Sequence, residues 1–301
     1  MKIAVLFVGQ PRFFDITASF YLEWLDGRNV DFFGHFWSYV SYGPHQVEEE
    51  LNVNKLEKII STCPFKDFSI TNYNNLDSFI QQIDGKFKLK DRYRHGEHYS
   101  TIQAIQLMSS YEKHNNITYD VVLRVRTDYL PNKQNLDELL SFSSNIPTVK
   151  VPNFEKGSKL TGKHGCIPTH LRSYNRSGIN VFANNVYNYY IKFRDAYYNN
   201  KDINFVNFTK DSVFSFDRDE TTLQFNSWHR GCAMSILIHG FENNSNIELL
   251  SYNLIRLVNN STKSKFTTGV MSKYSTPVLS NYCFFNQDNS KCLSTLNERL
   301  R

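Results

Sequence analysis

The segment "DVVLRVRTDYLP" (120–131) runs from an apolar stretch into Arg124, Arg126 and Asp128, and then meets Pro131. At roughly 3.3 Å per residue along a strand, the three charged positions fall within about 13 Å. Alternation puts all three on one face if the strand stays regular. A guanidinium is the side chain best shaped to grip phosphate oxygens. A carboxylate at a strand end can hold a divalent cation. Together the three describe a metal–diphosphate site. The competing reading is an internal ion pair that only caps the strand.

Other polar groups follow apolar runs in the same way. In "GQPR" (9–12) Gly9 lets a ligand approach the backbone, Pro11 stiffens the turn and Arg12 can reach a phosphate or a base; a plain strand-to-helix turn explains it equally well. "HFW" (35–37) offers His35 as a polar contact and Trp37 as a stacking surface, although a histidine among aromatics is more often a satisfied core residue. Ser100 and Gln103 in "STIQAIQ" fall on one side of a helical pattern and can face a ligand there. His229 and Arg230 in "SWHRGC" read more simply as surface polar residues than as metal or phosphate contacts.

These groups need elements to position them. "KIAVLFV" (2–8) is a continuous apolar run of strand length, and Phe13, Ile16, Phe20 and Trp24 then recur at helical spacing. Strands are predicted at 30–37, 67–73 and 119–125, and helices at 54–61, 74–83 and 98–113; in the last, Ile102, Ile105, Met108 and Tyr111 share a face. Strand and helix in alternation predict an α/β fold, a mostly parallel twisted sheet with helices on both faces. Ligands of such sheets bind outside the carboxyl ends of the strands, where "GQPR", "HFW" and "RVRTD" all fall. The second half is less regular: a strand at 148–154, a mobile loop at 156–166, with 155–166 able to close as a lid, a helix at 179–200, a strand at 249–258 and a loosely docked helix at 285–301. With no Pro/Gly/Ser linker, the chain reads as one domain with an elaborated C-terminal half.

Composition narrows the classes. Aromatics make up 15% and hydrophobic residues 41% of 301, enough for a large core and against general disorder. Net charge is +5, and no run of Lys/Arg gives the dense basic stripe of a nucleic-acid binder, so an anionic small substrate is expected and nucleic acid is not. Five scattered cysteines without a CxxC pair read as reduced thiols, hence a cytoplasmic setting. The N-terminal apolar run is too short for a signal peptide and reads as a first strand. No stretch approaches the roughly 18 residues of a transmembrane segment, though peripheral contact with a membrane stays compatible.

Taken in order, "MKIAVLFVGQPRFF", "DFFGHFW", "YSTIQAIQLMSSYE" and "YDVVLRVRTDYLP" resemble the WavE-type family of polysaccharide-biosynthesis glycosyltransferases of bacterial and viral surface-glycan loci. The likeness covers residues 1–132. It implies a GT-A-like fold in which a nucleotide-sugar donor lies across the carboxyl edge of the sheet, and transfer of the sugar to a glycan or lipid-linked acceptor. Residues 1–132 then form the nucleotide-sugar-binding half of a single domain and 133–301 the acceptor-binding half. Gly9, Gln10, Arg12, Arg124, Arg126 and Asp128 are assigned to the donor, and Asp128 also to a divalent cation, Mn2+ or Mg2+. Residue 126 is Arg, so the Asp-x-Asp of GT-A enzymes is absent, and the arginines can neutralise a diphosphate without a cation.

An inverting transferase needs a carboxylate to take the acceptor's proton. The densest acidic cluster of the second half is "FSFDRDETTLQF" (214–225), from which Asp219 and Glu220 are assigned as candidate bases; a helix cap explains the cluster equally well. Where the family often carries an acid, this chain has Asn180, which can bind a hydroxyl but not act as a base. Two other readings remain: a non-catalytic carbohydrate- or nucleotide-sugar-binding protein, suited by the aromatic stretch 182–198, and a sugar nucleotidyltransferase, for which "VGQPRFF" is poor in glycine.

Overall fold

The computed structural model describes residues 1–40, 49–72, 89–131, 136–143, 145–152 and 171–184, with short strands at 203–204, 222–223, 246–250 and 254–256. The chain opens with β1 (Ile3–Gly9), α1 (Phe14–Trp24) and β2 (Val30–Trp37), followed by a small pair, β3 (Tyr39–Val40) and β4 (Glu49–Glu50). Next come α2 (Val53–Ile60), β5 (Phe65–Thr71), α3 (Leu89–Asn115), β6 (Val121–Arg126), β7 (Tyr129–Pro131), α4 (Leu136–Leu140) and β8 (Thr148–Pro152). The remaining strands are β9 (Leu171–Asn175), β10 (Ile203–Asn204), β11 (Thr222–Leu223), β12 (Asn246–Leu250) and β13 (Leu254–Arg256).

Seven strands form the main sheet in the order β12-β8-β9-β6-β1-β2-β5. Strand β1 lies parallel to β2 and β6, β2 to β5, and β12 to β8; β9 alone runs antiparallel to its neighbours β6 and β8. The expected mostly parallel α/β sheet is therefore present. Strand β1 sits between β2 and β6, which explains its unbroken apolar run: both of its faces are covered. Ile3, Val5 and Phe7 join Val121, Leu123 and Val125 of β6 in one core with Phe14, Phe20 and Tyr21 of α1 and Leu56 and Ile60 of α2. On the opposite face Ala4, Leu6 and Val122 are buried, where α3 crosses β1, β2 and β5. Each Phe or Leu buried in this way contributes about 1.5–3 kcal/mol.

Most predicted elements lie where the pattern puts them, with four differences. Helix α3 begins at Leu89, well before 98, because its first turns are polar ("LKDRYRHGE") and carry no apolar period. The stretch 249–258 is two short strands in different sheets: β12 pairs with β8 and β13 with β7, so one apolar run serves two layers. Strand β9, "LRSYN", was not expected, since its polar residues suggest a surface loop. All five residues are buried, and Ser173 and Asn175 find backbone partners. The Ser173 hydroxyl donates to the Leu139 carbonyl at 2.6 Å, and Asn175 Oδ1 accepts the N–H groups of Thr148 and Gly178 at 2.9 and 2.8 Å. Asn175 thereby caps the helical residues 176–184, which begin before the expected 179. The helix expected at 74–83, the loop at 156–166 and the terminal helix at 285–301 lie outside the described residues.

Candidate active site

The carboxyl ends of β1 and β6 are neighbours, so the residues that follow them meet. Gly9 ends β1 with φ +102°, a conformation side chains rarely adopt, and no atom lies within 4 Å of where a Cβ would stand. The glycine is thus required by the backbone rather than by space. Its N–H donates to Ser100 Oγ of α3 at 2.9 Å. Ser100 donates to the His35 carbonyl at 3.0 Å and lies 2.5 Å from His35 Nδ1, while Nε2 lies 2.9 Å from Thr71 Oγ1. With the serine proton on the carbonyl, Nδ1 carries the ring hydrogen and Nε2 accepts from Thr71, a neutral tautomer inferred from the network.

His35 is therefore the satisfied core residue, 0% exposed, and Ser100 anchors the turn instead of facing a ligand. Burial lowers the His35 pKa to about 3, against a smaller upward pull from its backbone hydrogen bond. Unfolded chains take up this proton below about pH 6.5 and the folded protein does not. Stability is accordingly lost as pH falls from there toward 3, by up to about 1.4 kcal/mol per pH unit. His35→Gln removes that proton and flattens this part of the acid limb, measured as the difference in urea midpoint between pH 7 and pH 5. An equal difference in both proteins contradicts it.

Beyond Gly9 the chain turns toward β6. The Thr127 hydroxyl donates to the Gln10 carbonyl, and Thr17 Oγ1 of α1 lies 2.6 Å from the Thr127 carbonyl. Strand β6 ends at Arg126, and the following turn folds Asp128 back beneath it. Arg126 Nε donates to Asp128 Oδ1 at 2.9 Å and Nη2 to Oδ2 at 2.8 Å. Arg12 Nη1 donates to the same Oδ2 at 2.9 Å, and Arg12 Nε donates to Gln10 Oε1 at 2.9 Å. The Asp128 side chain is only 4% exposed, against 19% for Arg12 and 25% for Arg126. Both arginines thus keep an exposed edge over a buried carboxylate. Burial works against the charged form of Arg126, but the Asp128 carboxylate, with Tyr129 and Glu97, outweighs it and moves the pKa up. The guanidinium also lies 5.2 Å from the centre of the Tyr129 ring.

These residues line a cleft of about 220 Å³ together with Val8, Trp37, Tyr39, Gly96 and Glu97. Its volume is below the roughly 300–1,000 Å³ of ordinary small-molecule sites, so it accounts for part of a ligand. Trp37 and Tyr39 form an aromatic wall, with ring centres 6.1 Å apart. Gly9, Gln10, Arg12, Arg126 and Asp128 are brought together as the sequence suggested. Arg124 is not among the lining residues. It is 1% exposed, with Nη2 donating to Glu97 Oε1 at 2.6 Å and Nε 3.3 Å from Thr101 Oγ1. Burial lowers its pKa to about 10, with Glu97 pulling back, so it remains a cation at neutral pH. Sequence reasoning missed Glu97, which sits in the polar start of α3; an arginine within a buried strand, which must find a partner, was the available signal.

Asp128 is the residue from which a divalent cation would be held. Both its oxygens already accept guanidinium N–H groups, and among the described residues no three His, Cys, Asp or Glu side chains gather to hold a metal. The arrangement does not fit a cation at Asp128. Asp219, Glu220, His229 and Arg230 lie outside the described residues, and Asn180 is exposed on the helical residues 176–184. Gly9→Ala is expected to cost about 1–2 kcal/mol of stability through its forced φ, read as a lower urea midpoint; an unchanged midpoint shows that the turn relaxes freely.

No protein-family model matches the chain, and no curated protein matches it in sequence. Among solved structures it is similar to the galactosyltransferase LgtC in complex with donor and acceptor sugar analogs, at 9% identity and a TM-score of 0.40 over 99% of this chain and 94% of that one. It is also similar to a glycosyltransferase involved in glycosylation of the major capsid of PBCV-1, at 9% identity and a TM-score of 0.37 over 83% of this chain and 82% of that one. A third is the glycosyltransferase GlyE of Streptococcus pneumoniae TIGR4, at 10% identity and a TM-score of 0.36; the match covers 82% of this chain and 45% of GlyE. At these scores none of the likenesses fixes a family. Among the described residues no helix is long and apolar enough to cross a membrane.

Proposed function

We propose that this protein is a glycosyltransferase that moves a sugar from a nucleoside diphosphate sugar to a glycan or lipid-linked acceptor. The observation that carries the reading is the convergence of Arg12 and Arg126 at the carboxyl edge of two adjacent parallel strands, beside the Gly9 turn. That edge is where sheets of this kind bind nucleotides. Two guanidiniums suit the oxygens of a diphosphate, and Trp37 and Tyr39 offer a flat apolar wall to a sugar or base. The motif resemblance over residues 1–132 supports the same reading.

In the transfer, the bond between the anomeric carbon and the diphosphate oxygen breaks and the acceptor oxygen bonds to that carbon. The acceptor's proton passes to a base, and the nucleoside diphosphate leaves with the bonding pair. Arg12 and Arg126 meet the charge that develops on the leaving group, usually the largest electrostatic contribution to such a reaction. Asp219 or Glu220 is the base in this reading, and residues 133–301 receive the acceptor. A melting screen of UDP, GDP and dTDP sugars tests the donor class. A nucleotide sugar at 100 times its Kd adds about 2.7 kcal/mol, so one of the three raises the melting temperature; no shift with any of them counts against the proposal.

A further inference from the structure

The surroundings of Asp128 are those of a counter-anion rather than a metal ligand. Its carboxylate is buried, and its two oxygens take three N–H donors from Arg12 and Arg126. A cation arriving there must displace guanidiniums of its own sign in a partly desolvated site, where like charges repel strongly. Glu97, the other carboxylate lining the cleft, is tied to the buried Arg124. With the buried Arg124 counted behind Glu97, three guanidiniums stand against two carboxylates among these described residues, so the surroundings of the cleft keep a positive excess without any metal.

We propose that the diphosphate is held by Arg12 and Arg126 without a divalent cation, and that Asp128 is a positioning residue that presets the two guanidiniums and competes with the ligand for them. The inference rests on the donor site argued above. Two guanidiniums bring the two positive charges that a divalent cation brings elsewhere, with planar N–H pairs that a point charge lacks. The carboxylate keeps them from repelling each other in the empty site, and an incoming diphosphate takes over part of that neutralisation. The arginines need only turn their exposed edges, which are 19% and 25% accessible.

This account and the metal-ligand account predict opposite signs. Calorimetry with UDP, GDP and dTDP on the whole chain, in EDTA and in Mn2+, is the first arm. The Kd of whichever nucleotide binds should agree within about twofold between the two buffers, well under the tenfold steps by which affinities are compared. The second arm is Asp128→Asn in EDTA, with melting temperature measured on the same preparation. Removing the competing anion takes a charge of the ligand's own sign away from the diphosphate and should tighten nucleotide binding by about fivefold. Binding seen only with Mn2+, or weakened by Asp128→Asn in a folded protein, overturns the inference and leaves the glycosyltransferase reading standing. Binding of none of the three nucleotides in either buffer overturns the donor site itself. The EDTA comparison uses the unaltered chain, so it decides the matter even where Asp128→Asn fails to fold.

Discussion

Arg124→Met lowers folding stability by about 3–5 kcal/mol, toward the lower end, and leaves the nucleotide affinity of the folded protein nearly unchanged. The guanidinium is 1% exposed and ends on Glu97 and Thr101, so truncation leaves the carboxylate facing an apolar side chain. Glu97 is 22% exposed, and water can partly replace the lost partner, which sets the lower end. Residue 124 also stands opposite Arg172 in the register of β6 and β9, both deeply buried, so Glu97 offsets charge repulsion in the sheet. Urea denaturation and calorimetry on one preparation check the two halves of the expectation. Retained stability with lost affinity would return Arg124 to the ligand.

Arg126→Ala has the opposite profile. Losing a charge-assisted phosphate contact costs about 1.5–3 kcal/mol, roughly ten- to 150-fold in Kd. Stability changes less, because Arg126 is a quarter exposed and Asp128 keeps its bond to Arg12. The two arginines sit two residues apart on one strand face, yet one serves the fold and the other the cleft. What separates them is depth: α3 covers Arg124 with Glu97 and Thr101, while Arg126 reaches the open end of the sheet. Titration of Arg126→Ala with UDP and GDP decides it, and an unchanged Kd in a folded variant assigns Arg126 to structure.

That separation marks what the sequence can and cannot say. Apolar runs exposed β1 and β6, and position at the strand ends exposed Gly9, Arg12, Arg126 and Asp128, because a covered parallel strand has no other place for charge. The same run could not reveal that Arg124 points into the protein, since its partner Glu97 lies 27 residues upstream in a helix start without apolar period. Strand β9 was hidden for a related reason. Ser173 and Asn175 look like surface residues until their hydrogen-bond partners are known, and those partners are backbone groups that no side-chain pattern reports. The metal reading of Asp128 meets the same difficulty: an Arg-x-Asp pair reads as ligand and neighbour, and only the fold brings Arg12 onto the carboxylate as well.

Release of nucleoside diphosphate from nucleotide sugars tests the central claim most directly. The unaltered chain, given UDP, GDP and dTDP sugars with and without acceptor glycans, should release diphosphate from at least one. Folded Arg126→Gln, in which Asp128 keeps its bond to Arg12, should lose most of that release. A protein that binds a nucleotide sugar and never releases nucleoside diphosphate, or release that survives Arg126→Gln, contradicts the account.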